Sequence, residues 1–175
     1  MDTFENAVRK LVRSMYQVAG ASITLMMLLT CADVLLRFST TLRARFGWEI
    51  LEPLKPIPGT YELVCLLGVV AAAFAMAHTS LKAGHVSVNF VVRLLSGKAQ
   101  SVFEVITGTL GFLFFAMIGW QSIHYAEQAK SLGEVSMTLR LPYYPFIYGV
   151  SLSAFTVCLV LLLRVVKEWK KVLEK

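Results

Sequence analysis

"MYQVAGASITLMMLLTCADVLLRF", residues 15–38, decides the fold. No Asp, Glu, Lys or Arg occurs between Arg13 and Asp33. About 20 mostly apolar residues in helical form cross the ~30 Å hydrocarbon layer of a bilayer, so this stretch reads as a membrane span. Three further blocks have the same character: residues 61–78, 102–124 and 146–166. No proline falls within the apolar part of any block, and each reads as one unbroken helix. The composition agrees. The 175-residue chain is 57% hydrophobic and only 16% charged, with a mean hydropathy of +0.65. A soluble domain is nearer ~25% charged. The fold class is therefore an all-α integral membrane protein with four transmembrane helices, in a single membrane domain over residues 1–175.

Outward from the spans, two connecting segments carry a helical pattern of their own. In residues 3–14, Phe4, Val8, Leu11 and Met15 share a face while Arg9, Lys10 and Arg13 lie elsewhere, with Thr3 as an N-cap. This suits a lead-in lying on the membrane surface. In residues 43–52, Phe46 and Ile50 align with Leu54 beyond the segment, beside Trp48, and Pro53, Pro56 and Pro58 end the pattern. A short interfacial helix between spans one and two is expected there, anchored by Trp48. Lys and Arg set the orientation. Eleven lie in the N-terminus, the middle loop and the C-terminus, against six on the other side. The bias makes both termini and the middle loop cytoplasmic. The basic residues are scattered, which fits orientation signals and membrane lipid rather than a nucleic-acid face.

The chemistry-bearing residues exclude more than they offer. Cys31, Cys65 and Cys158 each sit inside an apolar block, at spacings that suit neither zinc nor a disulfide framework. "LLTC" (28–31) has the look of a lipoprotein cleavage box, but Asp33 follows it and the preceding apolar run exceeds a ~7–15-residue signal core. His78 and His124 fall at opposite ends of their spans, and seven helical positions separate His78 from His85, so no two histidines clamp one metal or haem. No Walker-type loop or "GxSxG" setting appears. The reading is no enzyme, no cofactor and no metal.

Charges within spans are costly and mark function. Here they keep to the ends. Asp33 and Arg37 are four apart with the acid first, the favourable order for an intrahelical pair. Glu62 opens span two at similar depth, and Glu104 opens span three near Lys98. Asp33, Arg37 and Glu62 can therefore form one network fixing spans one and two, or pair with a partner subunit. A carrier usually holds its ion and substrate at mid-depth on broken helices. Neither feature is present, so transport by this chain alone is not expected. Gly68, Ala72 and Ala75, with Ala71 beside them, form a small-residue face on span two suited to close helix packing. "GHVSVN" (84–89) reads as a cytoplasmic turn, opened by Gly84, whose His85, Ser87 and Asn89 hydrogen-bond or face headgroups.

"ADVLLRF" (32–38), "GTYEL" (59–63), "GHVSVN" (84–89) and "SMTLRLPYYPF" (136–146), in this order and spacing, resemble the small Q-type (DctQ-like) membrane subunit of tripartite ATP-independent periplasmic (TRAP) transporters. The resemblance extends over nearly the whole chain. It implies a sodium-driven system for organic acids. In such a system a soluble periplasmic binding protein captures the solute, and a large M-type membrane subunit holds the sites and moves in an elevator-like way. The small subunit, in a bacterial inner membrane, braces the large one and helps dock the binding protein. By motif, Asp33, Arg37, Glu62 and His85 carry over as structural or interface positions, joined by Gly84 and Trp48. Arg43, Arg45 and Arg140 are the periplasmic docking candidates. Asn89 departs from the acid expected at that position. Dicarboxylates, sialic acids and other carboxylated sugars all remain open as solutes. "EWKKVLEK" (168–175) reads as the end of a separate small subunit. The competing readings are a four-helix membrane haem or redox protein, and a scaffold subunit of an unrelated membrane complex.

Overall fold

The computed structural model of the chain describes residues 2–46, 56–81 and 97–173. Within them are four helices and no strand: α1 (Asp2–Phe46), α2 (Thr60–Leu81), α3 (Gly97–Leu132) and α4 (Tyr144–Leu173). All four are long and apolar enough to cross a membrane. At about 1.5 Å per residue, α1 is about 68 Å long and α2 about 33 Å, so α2 alone has roughly the hydrocarbon thickness.

Packing follows the order α1–α2–α4–α3, with α1 only brushing α4. The accessibility pattern explains this arrangement. Along α1 the less exposed positions step by three and four: Val8, Val12, Met15, Ala19, Ser22, Met26, Leu29, Asp33 and Leu36. Such a seam is the signature of near-parallel, slightly supercoiled helices. Much of the rest of α1 is exposed, including Leu25, Met27, Leu28, Val34 and Leu35. α4 is the inverse. Over residues 146–163 its exposed positions form the narrow stripe Tyr148, Leu152, Phe155, Leu159 and Leu162, and it is buried between, at Ser151, Ser153, Ala154, Thr156, Val157, Cys158 and Val160. α4 is thus the central helix and α1 a peripheral one.

α3 meets α4 through small residues. A Cβ on Gly108 would lie 2.6 Å from the Val165 side chain, one on Gly119 3.2 Å from Phe155. Two hydroxyls tie the centre together. Ser151 donates to the Gly119 carbonyl at 2.9 Å, and Ser153 donates to the Ala73 carbonyl of α2. In an apolar surround such bonds replace the solvent partners that are missing.

The buried core sits at one end of the bundle, where Val8, Val12 and Met15 of α1 meet Ala77 of α2 and Val157 and Val160 of α4. This revises the reading of residues 3–14. They are not a separate surface-lying segment but the first turns of α1, with Val8, Val12 and Met15 packed inward. α1 also runs on to Phe46, so residues 43–46 of the expected interfacial helix belong to it. Trp48 and the rest of that segment lie outside the described residues. The small-residue face on α2 differs too. Ala71, Ala73 and Ala77 are buried while Ala72 is exposed. α2 has a neighbour on two sides, so its inward residues do not follow one stripe.

Candidate functional site

The end of the bundle opposite this core carries a polar junction. It is built from the C-terminal part of α1, the N-terminus of α2 and the connection between α3 and α4.

α3 ends in a Schellman arrangement. Gly133 takes the left-handed conformation (φ 65°), its N–H donates to the Lys130 carbonyl at 3.3 Å, and the Glu134 N–H donates to the Ala129 carbonyl at 3.0 Å. The chain then folds into a closed turn around Ser136, which is 1% exposed. The Ser136 N–H donates to the Leu141 carbonyl at 2.9 Å, the Arg140 N–H to the Ser136 carbonyl at 3.1 Å, and the Leu141 N–H to Ser136 Oγ at 3.2 Å. Closing this turn puts Arg140 at φ 51°, a left-handed value that non-glycine residues seldom adopt. Val135 and Pro142 form an isolated antiparallel bridge. Pro145 sits in the first turn of α4, where its missing N–H costs no helical bond.

Two N–H groups of this turn find their acceptor on another helix. The Glu62 carboxylate accepts the backbone N–H of Thr138 at 2.8 Å and of Leu139 at 3.1 Å. Beside it, Gly59 (φ 76°) lies so close to Leu139 that a Cβ would meet the leucine side chain at 2.5 Å. One residue along, Thr60 Oγ1 donates to Asp33 Oδ1 of α1 at 3.2 Å and lies 2.9 Å from the Ile57 carbonyl. Arg37 Nε donates to Asp33 Oδ2 at 2.6 Å. The start of α2 is thus a hub: Thr60 ties it to α1, and Glu62 ties it to the α3–α4 turn.

Asp33 and Arg37 form the intrahelical pair anticipated from their spacing, and Asp33 also reaches α2. Glu62 does not join them. It serves the 138–139 turn instead. Arg43 and Arg45 lie in the last turn of α1, and Arg140 is exposed on the turn. All three are therefore at this end of the bundle. Gly84 and His85 lie outside the described residues. Gly59, Thr60, Ser136, Thr138 and Leu139 stand inside the quoted family-like pieces, but the sequence reading gives them no structural role. The signal for Thr60 was there to read: a threonine following Pro58–Gly59 and opening an apolar helix is a helix-start pattern. Backbone donors such as those of Thr138 and Leu139 leave no trace in side-chain chemistry.

At the other end, His78 stacks on Tyr16 of α1, with ring centroids 4.1 Å apart. His124 meets Trp120 edge-on at 5.3 Å. An apolar groove of about 460 Å³ lies between α2, α3 and the start of α4, lined by Cys65, Val69, Tyr125 and Phe146 among others. This arrangement suits holding helices together and offering surfaces.

Three of the four sequence pieces that suggested a family meet in this junction: "ADVLLRF" through Asp33, "GTYEL" through Gly59, Thr60 and Glu62, and "SMTLRLPYYPF" through Ser136, Thr138 and Leu139. No curated protein and no solved structure matches the chain. One family model does, over residues 26–171, a range that takes in the whole junction. The chain belongs to the DctQ component family of the tripartite ATP-independent periplasmic transporters, and is accordingly a small membrane component of a transporter and not an enzyme.

Proposed function

We propose that this chain is the non-catalytic small permease subunit of a sodium-driven TRAP transporter for a carboxylated organic solute. It sits in a bacterial inner membrane with both termini in the cytoplasm, braces the large M-type transport subunit, and helps the periplasmic binding protein to dock. One observation carries the bracing role. No Asp, Glu, Lys or Arg occurs between Arg13 and Asp33, between Glu62 and Lys82, between Glu104 and Glu127, or between Arg140 and Arg164. An ion and a carboxylate crossing the membrane need charged or broken-helix partners at mid-depth, and this chain offers neither among its described residues. The large partner supplies them.

The lysine and arginine bias supports the orientation, which puts the Glu62 junction on the periplasmic side. There the exposed Met137 and Arg140 of the α3–α4 turn, with Arg43 and Arg45 at the end of α1, face the compartment of the binding protein. The test is reconstitution. Liposomes holding this chain alone, given a sodium gradient, binding protein and a panel of labelled carboxylates, take up nothing. Adding the large subunit starts uptake. Uptake by this chain alone would overturn the reading.

A further inference from the structure

The end of the bundle that holds the core also holds a cleft of about 480 Å³ between the N-terminal turns of α1 and the C-terminus of α2. Its walls are Asn6, Arg9, Lys10, Arg13, His78 and Leu81. Four of these stand at positions i, i+3, i+4 and i+7 of α1, and so share one face. Arg9 is held by Glu5, with 2.7 Å between Nη2 and Oε1. Among the described residues Lys10 and Arg13 have no ion-pair partner, and His78 Nδ1 is buried with no hydrogen-bond partner. The cleft is thus a cationic recess short of counter-charge. Apart from the stack of His78 on Tyr16, none of the helix-tying contacts described above uses its walls. Its α1 wall precedes residue 26, where the family match begins.

Its place along the helices identifies the ligand. On α1 the stripe that carries Arg9 and Arg13 continues as Tyr16, Gly20, Ile23 and Met27. Tyr16, Ile23 and Met27 are half or more exposed, and nothing lies within 4 Å of a Cβ built on Gly20. Cations at one end of a stripe, with bare apolar surface running on toward mid-membrane, match a phosphate headgroup above its acyl chains. We propose that this cleft binds the phosphate of an anionic phospholipid of the adjacent leaflet, Lys10 and Arg13 pairing with the phosphate oxygens and His78 lying beside them. Recesses of this kind between helices suit anionic headgroups.

The test uses the purified full chain in mild detergent. Its thermal unfolding is followed on titration with phosphatidylglycerol, with phosphatidylcholine of the same acyl chains, and with inorganic phosphate. Phosphatidylglycerol is expected to raise Tm saturably, and the other two are not. Lys10→Gln/Arg13→Gln weakens the apparent affinity by roughly tenfold or more, since each surface cation contributes measurably to anionic-lipid attraction. Arg164→Gln, a basic position outside the cleft, leaves it unchanged. If the double glutamine variant fails to fold, Lys10→Arg/Arg13→Lys, which keeps the charge, is compared with Lys10→Gln alone. Native mass spectrometry supplies a second readout, with one retained phosphatidylglycerol expected on the wild type and none on the variant. Three results would each overturn the proposal: equal response to both lipids, equal response of the wild type and the glutamine variants, or stabilisation by inorganic phosphate matching that by the lipid.

Discussion

Thr138 donates its backbone N–H to the carboxylate of Glu62, 76 residues upstream, at 2.8 Å. The neighbouring N–H of Leu139 reaches the other carboxylate oxygen. One side chain on α2 thereby holds the connection between α3 and α4. Glu62→Gln keeps the shape but has a single acceptor oxygen, and its amide NH₂ faces a backbone donor. We expect a Tm several degrees lower in detergent and faster proteolysis within residues 133–143, with helix content by circular dichroism unchanged. An unaltered cleavage rate in that turn would count against the tie.

Gly59 is required twice over, by its positive φ and by the Leu139 side chain against it. Gly59→Ala should cost about 1–2 kcal/mol from the left-handed backbone alone, and more from the overlap. Leu139→Ala in that background removes the overlap and leaves the backbone penalty. Partial recovery of stability in the double variant is therefore the outcome to look for in unfolding titrations.

The Asp33–Thr60 bond is a polar link between α1 and α2 at this end. Asp33→Ala and Thr60→Val should each lower Tm. Together they should lower it by less than the sum of the two, because both remove one interaction. Arg37→Gln should have the smallest effect of the set, since the Arg37 side chain is 64% exposed. Strict additivity of Asp33→Ala and Thr60→Val would show that the two residues do not interact.

Apolar truncations should divide by position. Lipid tails are as apolar as the core, so burial itself stabilises little, and what decides the cost is whether a truncation leaves an unfilled void. Val157→Ala, at a position 0% exposed, should cost about 1–2 kcal/mol. Leu110→Ala, at a position 61% exposed, should be near neutral, as lipid fills the space. Equal effects would argue against the helix order described.

On the docking reading, Arg140→Gly relieves a left-handed arginine and should leave Tm equal or slightly raised. In the reconstituted system it should still slow uptake, as should reversing the charges of Arg43 and Arg45. Co-purification with the large subunit should not change. Normal uptake with all three altered would remove the docking role.

The long features of the fold were legible because a membrane span is a length and a composition, and charge-free runs give both. The Asp33–Arg37 pair was legible because helical spacing alone makes it. The seam along α1 was not. Leu25, Met27, Leu28 and Leu35 face outward and are as apolar as Val8, Val12 and Met15 facing inward, so hydrophobicity does not tell lipid from protein. For the same reason the small-residue face read as Gly68, Ala72 and Ala75 takes in the exposed Ala72 and leaves out the buried Ala73. The partner of Glu62 was hidden differently. It is a pair of backbone N–H groups, exposed by a turn whose shape depends on buried Ser136 and on a left-handed Arg140 that no propensity favours.

The hub on α2 has a mechanical consequence. Shifting α2 by one helical pitch, about 5.4 Å, past either neighbour would break its bond to Asp33 or its grip on the 138–139 turn. The bundle therefore cannot shear along the membrane normal without losing its polar fastenings. On the proposed bracing reading, such resistance to sliding suits a stator, with vertical travel left to the large subunit.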